Sequence, residues 1–223
     1  VHVNIEADSL NSALLGPDGA QGSETFNMFL TDVIKEVTQK TGQKCTAIRR
    51  IYVPADRLDD VRDELVARLK DVRVGNPADD KVTMGPVATA QQLRDVRAGI
   101  EKISAGAEVA CGGAKPVEGL AKGYFVSPTL LVRKGPKADD VTNKHEVFGP
   151  VATLMPYANV RELVSLVAAG NGGLVSSVYS DDKQWLNETV SGIAPWFGRL
   201  TISGEKVAGQ TLSPGTVMPG MLH

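Results

Sequence analysis

The segment Thr41-Gly42-Gln43-Lys44-Cys45-Thr46-Ala47-Ile48-Arg49-Arg50-Ile51-Tyr52-Val53-Pro54 joins two different periodicities, and its reading decides the fold. Upstream, Phe26, Phe29, Leu30, Val33, Ile34 and Val37 recur at helical spacing, with Ser23 as N-cap and Glu24 beside it. Gly42 falls in the C′ region that would close this helix. Downstream, Ala47 to Val53 is strand-like and is cut off at Pro54. A helix, a turn and a strand in succession are the unit of an α/β protein.

The same alternation continues outward. Leu58, Val61, Leu65 and Leu69 predict a helix over about 56–70, and Leu93, Val96, Ile100 and Ile103 predict another over about 90–104. Strands are expected at 107–111, 125–132, 151–156, 174–180 and 199–203, with helices at about 160–169 and 183–190 separating the last three. The stretch around Gly16-Pro17-Asp18-Gly19 reads as a loop. Gly170-Asn171-Gly172-Gly173 follows a helix instead of opening one, so it reads as a turn and not as a phosphate cradle. One α/β domain is the economical interpretation.

Composition narrows the function. The 223 residues are 42% hydrophobic and carry a net charge of −2, which removes the electrostatic case for nucleic acid. No apolar run is long enough to cross a membrane as a helix. Two cysteines match no metal or redox spacing, and so few thiols in so large a domain fit a reducing, cytoplasmic setting. Val1, Val3 and Ile5 alternate as a strand would. A chain that opens inside a strand is expected to be a piece of a longer polypeptide.

Three segments carry candidate chemistry. Cys45 sits between a helix and a buried strand, where Gly42 permits a tight turn and Thr46 and Ala47 leave the backbone uncrowded. Cysteine is the readiest side-chain nucleophile near neutral pH, and its own amide could stabilise an oxyanion. The ordinary fate of a free cysteine is nevertheless burial as a small hydrophobe. Glu6, at the end of the opening strand, is a candidate general base; a solvated strand-end glutamate is the plainer reading. His145-Glu146-Val147-Phe148-Gly149-Pro150 by itself is only a loop leading into a strand.

Taken together, these segments resemble the aldehyde dehydrogenase superfamily. Gly42-Gln43-Lys44-Cys45 is similar to its Gly-Gln-x-Cys signature, and Glu146-Val147-Phe148-Gly149-Pro150 to its Glu-x-Phe-Gly-Pro signature, in the same order and at a similar separation. Val74-Gly75-Asn76-Pro77, Met84-Gly85-Pro86 and Gly123-Tyr124-Phe125-Val126 add secondary matches. The sequence departs from the common members at Glu6-Ala7-Asp8-Ser9-Leu10-Asn11, where they carry Glu-Leu-Gly-Gly. The run Gly42 to Arg50 and the Pro219 to His223 ending look like the enzymes that oxidise CoA-linked semialdehydes in aerobic phenylacetate and benzoate breakdown.

The resemblance implies a catalytic-domain-like open twisted sheet flanked by helices, with most of the Rossmann-like cofactor domain absent. Residues 1–10 would be the last strand of that cofactor domain, 11–203 the thiol-bearing catalytic domain, and 204–223 a partial loop leading out. It also implies NAD or NADP as cofactor, an aldehyde substrate that could be CoA-linked, and homo-oligomerisation of the parent enzyme. Cys45 would be the nucleophile and Glu6 the base that activates water. Glu146 would bind the nicotinamide ribose and Phe148 would pack near the nicotinamide ring. Two alternatives stay open for the isolated chain: a weak thiol esterase, or a non-catalytic interaction domain.

Overall fold

The computed structural model describes residue 3 and residues 8–209. Within these, the strands in chain order are β1 (Ser12–Leu15), β2 (Arg50–Pro54), β3 (Glu108–Cys111), β4 (Thr129–Val132), β5 (Val151–Tyr157), β6 (Gly173–Tyr179) and β7 (Phe197–Ser203). The helices are α1 (Glu24–Thr38), α2 (Leu58–Lys70), α3 (Ala90–Ser104), α4 (Val160–Ala168) and α5 (Lys183–Ile193). The strands form one open sheet in the order β3-β4-β5-β2-β1-β6-β7. All neighbours are parallel except β3 and β4. Long connections make this possible, because parallel neighbours cannot be joined by a tight hairpin: α1 lies between β1 and β2, α5 between β6 and β7, and a loop with one 3-10 turn between β4 and β5.

The two-residue period of the strands divides the core. Ala13 and Leu15, Ile51 and Val53, and Ala152 and Leu154 face α1 and α2, where Phe26, Phe29, Leu30 and Leu65 meet them. Leu14, Tyr52, Met155 and Tyr157 point the other way, onto Leu163 and Leu166 of α4 and Trp185 and Ile193 of α5. α3 covers the far end of that second face through Val96, Ile100 and Ile103 against Leu131 and Val151. Each fully buried Val, Leu, Ile, Phe or Met side chain among these contributes about 1.5–3 kcal/mol of transfer free energy. α1 begins as its sequence predicts, with the Ser23 hydroxyl accepting from the Phe26 amide at 3.1 Å.

Several expectations shift. β1 lies in the segment read as loop; all four of its residues are buried in the interior of the sheet, between β2 and β6, so no alternation marks it. α1 ends at Thr38, and a 3-10 turn at Gln39–Gly42 follows, so Gly42 ends that turn and not the helix itself. Lys40 and Thr41 take left-handed backbone angles there, with φ of 52° and 56°. The strand expected from Ala47 begins at Arg50, and that expected from Phe125 begins at Thr129. The opening strand read through Val1, Val3 and Ile5 falls, apart from Val3, outside the described residues.

Candidate active site

The turn bearing Cys45 is held from four sides. Below it, Asn11 is fully buried at the start of β1 and donates through Nδ2 to the carbonyls of Cys45 (2.8 Å) and Ala47 (2.9 Å). Its Oδ1 accepts from the Val175 amide at 3.0 Å and from the Ser9 hydroxyl at 2.7 Å. On the α1 side, Lys44 reaches the buried Glu36 carboxylate at 2.7 Å. The Thr41 hydroxyl donates to the Gly85 carbonyl at 3.1 Å, which gives the Met84-Gly85-Pro86 stretch a contact with this turn. Gln43 bridges the remaining side: its Nε2 donates to the Phe148 carbonyl (3.3 Å) and its Oε1 accepts from the Ala88 amide (2.9 Å).

With its backbone so fixed, Cys45 leaves its side chain in solvent. It is therefore not the small buried hydrophobe that a free cysteine usually becomes. It borders a cleft of about 730 Å³ that Glu146, Phe148 and Lys144 also line. The Gly170-Asn171-Gly172-Gly173 turn that leads from α4 into β6 also lines it. That stretch is a turn as expected, and in addition it shapes the cleft. A β-carbon at Gly170 would stand 2.3 Å from an Arg50 guanidinium nitrogen, so the turn must be small there.

Three of the four residues singled out in the sequence thus meet at one cleft, and Glu6 lies outside the described residues. The Glu146 side chain is 6% exposed; its Oε2 accepts from the Ser9 amide at 3.0 Å and its Oε1 pairs with Arg49 Nε at 3.0 Å. Phe148 stays 39% exposed, with the Arg49 guanidinium 5.3 Å from its ring centroid. Burial pulls the Arg49 guanidinium below its ordinary range, and the Glu146 carboxylate pulls it back. Neighbouring His145 is held below the usual imidazole value by burial and then by the Lys102 charge.

Arg49 and Asn11 were not singled out from the sequence. A signal for Arg49 was present, since two adjacent arginines entering an apolar strand must find acceptors inside the protein. Nothing local distinguishes Asn11. Among the described residues, no cluster of three His, Cys, Asp or Glu side chains is arranged to hold a metal, and no helix is long and apolar enough to cross a membrane.

The chain is 42% identical, over all of its length, to the 3,4-dehydroadipyl-CoA semialdehyde dehydrogenase of Aromatoleum evansii, and spans 44% of that relative. Its fold superposes on betaine aldehyde dehydrogenase from Staphylococcus aureus in complex with NAD+, with a TM-score of 0.77 and 25% identity, over 87% of this chain and 37% of that one. A cysteine-to-alanine variant of aldehyde dehydrogenase C from Pseudomonas syringae, crystallised with NAD+ and octanal, gives a TM-score of 0.74 at 26% identity, over 87% of this chain and 39% of that one. The chain therefore spans less than half the length of each of these relatives. Residues 25–210 match the aldehyde dehydrogenase family as a whole. The chain belongs to the aldehyde dehydrogenase family.

Proposed function

We propose that this chain is the thiol-bearing part of an NAD(P)-dependent dehydrogenase that oxidises an aldehyde, a CoA-linked semialdehyde in particular, to the carboxylic acid. The observation that carries the reading is the exposed Cys45 thiol on a braced turn, beside a cleft shared with Glu146 and Phe148. The semialdehyde is favoured by similarity, over the whole of this chain, to 44% of a relative named for one.

The residues fit a nicotinamide nucleotide. Phe148 offers an open aromatic face on the cleft. Each Glu146 oxygen accepts one hydrogen bond and retains capacity for another, from a ribose hydroxyl. When bound, the nicotinamide supplies the two-electron acceptor.

The chain's own part is as follows. The Cys45 thiolate adds to the aldehyde carbon, and the Cys45 amide donates to the resulting oxyanion. After oxidation the acyl group remains on sulfur as a thioester. Glu6 takes a proton from water as that water attacks the thioester carbonyl; the C–S bond breaks, leaving the acid and the Cys45 thiolate that began the cycle. In this reading residues 1–10 close a cofactor domain, 11–203 form the catalytic domain and 204–223 lead out of it.

The test is NAD(P)H formation by the full-length protein with a CoA-linked semialdehyde, beside Cys45→Ala. Loss of turnover in the variant is expected. Turnover at the wild-type rate would remove Cys45 from the chemistry.

A further inference from the structure

Arg49 and Arg50 enter the sheet side by side, yet their surroundings differ in kind. Arg50 is 1% exposed and is met by neutral acceptors. They include the Leu10 carbonyl at 2.8 Å, Asn143 Oδ1 and the Tyr52 hydroxyl at 3.1 Å, and the Leu166 and Val167 carbonyls at the end of α4. These contacts fasten α4 to the sheet and support the part of the cleft lined by Leu10, Asn143 and Gly170.

Arg49 instead touches every part of the cleft's reactive wall. Its Nη2 donates to the carbonyls of Gly42 (2.9 Å) and Lys44 (3.3 Å), the two ends of the segment that presents Cys45. Its Nη1 donates to the Gly149 carbonyl at 2.8 Å, and its Nε to Glu146 at 3.0 Å. The central carbon of the same guanidinium lies over the Phe148 ring, 5.3 Å from its centroid. A rigid planar fork with an aromatic-facing surface can satisfy all of these at once, which a lysine ammonium cannot.

We propose that Arg49 is a positioning residue. It registers the Cys45 turn against Glu146 and Phe148, so that the thiol and the nicotinamide-facing pair share one fixed geometry. This rests on the reading of Cys45 as nucleophile and of Glu146 and Phe148 as the pair that meets the cofactor. Arg49 touches no reacting atom; it acts through the carbonyls, the carboxylate and the ring it holds. An error of 1 Å in such a register can cost about 100-fold in rate.

The experiment uses the full-length protein as wild type, Arg49→Met, Arg49→Lys, Glu146→Gln and the Arg49→Met/Glu146→Gln double variant. Ile51→Val serves as a control: Ile51 is fully buried two residues along, in the core that faces α1 and α2. Two readouts do not depend on turnover: NAD+ affinity by fluorescence titration, and the alkylation rate of Cys45 by iodoacetamide at one pH, followed by mass spectrometry.

In Arg49→Met both readouts are expected to move by about tenfold, with kcat falling further, toward the hundredfold that misregister can cost. In the control they stay near wild type. The loss of NAD+ affinity in the double variant is expected to be much smaller than the product of the two single losses, because both singles break one linkage. Wild-type NAD+ affinity and alkylation rate in Arg49→Met, or shifts no larger than those of Ile51→Val, would overturn the proposal. Should Arg49→Met fail to fold, Arg49→Lys keeps the charge without the fork; both readouts are then expected to move in the same direction, and wild-type values overturn the proposal. Full turnover by Cys45→Ala would defeat the functional reading instead, while leaving the Arg49 measurements interpretable by themselves.

Discussion

Gly42 approaches Gly149 so closely that a β-carbon added to it would stand 2.1 Å from the Gly149 carbonyl oxygen. Its φ of +67° is a second reason for glycine there. The contact seats the turn of Cys45 on the loop that bears Glu146 and Phe148. Gly42→Ala is expected to lose about 2–4 kcal/mol, from left-handed strain together with overpacking against backbone. Urea denaturation measures it; a variant as stable as wild type would mean that the two loops can part without cost.

The two thiols should separate cleanly by reactivity. Cys45 is exposed, whereas Cys111 is half-buried and burial pushes its thiol up. An aromatic disulfide reagent is expected to titrate one thiol at least about tenfold faster than the other under native conditions. Cys45→Ala should abolish the fast phase. A fast phase that survives in that variant would belong to Cys111 and contradict its burial.

Asp32 on α1 accepts from the Tyr179 hydroxyl at 2.8 Å. Burial raises its pKa, the tyrosine pulls it back, and the Glu36 charge raises it again. The folded carboxyl therefore keeps its proton to higher pH than the unfolded one, whose reference is 3.8. Its contribution is complete below that value and is lost as pH rises through the folded pKa. Asp32→Asn keeps an oxygen for Tyr179 and removes the charge. Thermal melts should show the variant gaining on wild type at neutral pH, with the gain vanishing near pH 3.8. An equal difference at both pH values would contradict this linkage.

Asn11 gives a test of the brace beneath Cys45. Asn11→Ala orphans the Cys45 and Ala47 carbonyls and the Val175 amide, at about 1–3 kcal/mol for each that water cannot reach. Asn11→Asp is expected to be worse than Asn11→Ala, because a carboxylate would face the same two carbonyls without a donor. The order of the two denaturation midpoints decides; the reverse order would remove the donor role.

Much of the fold was legible in the sequence because amphipathic periodicity marks helices that cover a sheet. α3 and α4 fall close to where their apolar spacing puts them. β1 was not legible, since a four-residue strand buried on both faces carries no alternation and borders a Gly-Pro turn. Of the site, Cys45, Glu146 and Phe148 could be found through the ordered signatures around them. Arg49 was marked only as one of two arginines entering an apolar strand, because its importance lies in partners as far away as Gly149, 100 residues along the chain. Asn11 was hidden for the same reason, with Val175 164 residues distant.

The interior position of β1, between β2 and β6, also governs the order in which the molecule can be assembled. Ser12 pairs with Arg50 on one side and with Ser176 on the other, so the middle of the sheet stays open until β6 has been synthesised. Closing it joins residues 164 positions apart, a contact that raises the entropic barrier to folding. A nascent chain that stops short of Gly173 leaves one edge of β1 unpaired and available to other strands. Protease resistance of ribosome-bound chains should therefore appear only once residues beyond Tyr179 have left the exit tunnel, and earlier protection would mean that β1 and β2 fold without their third partner.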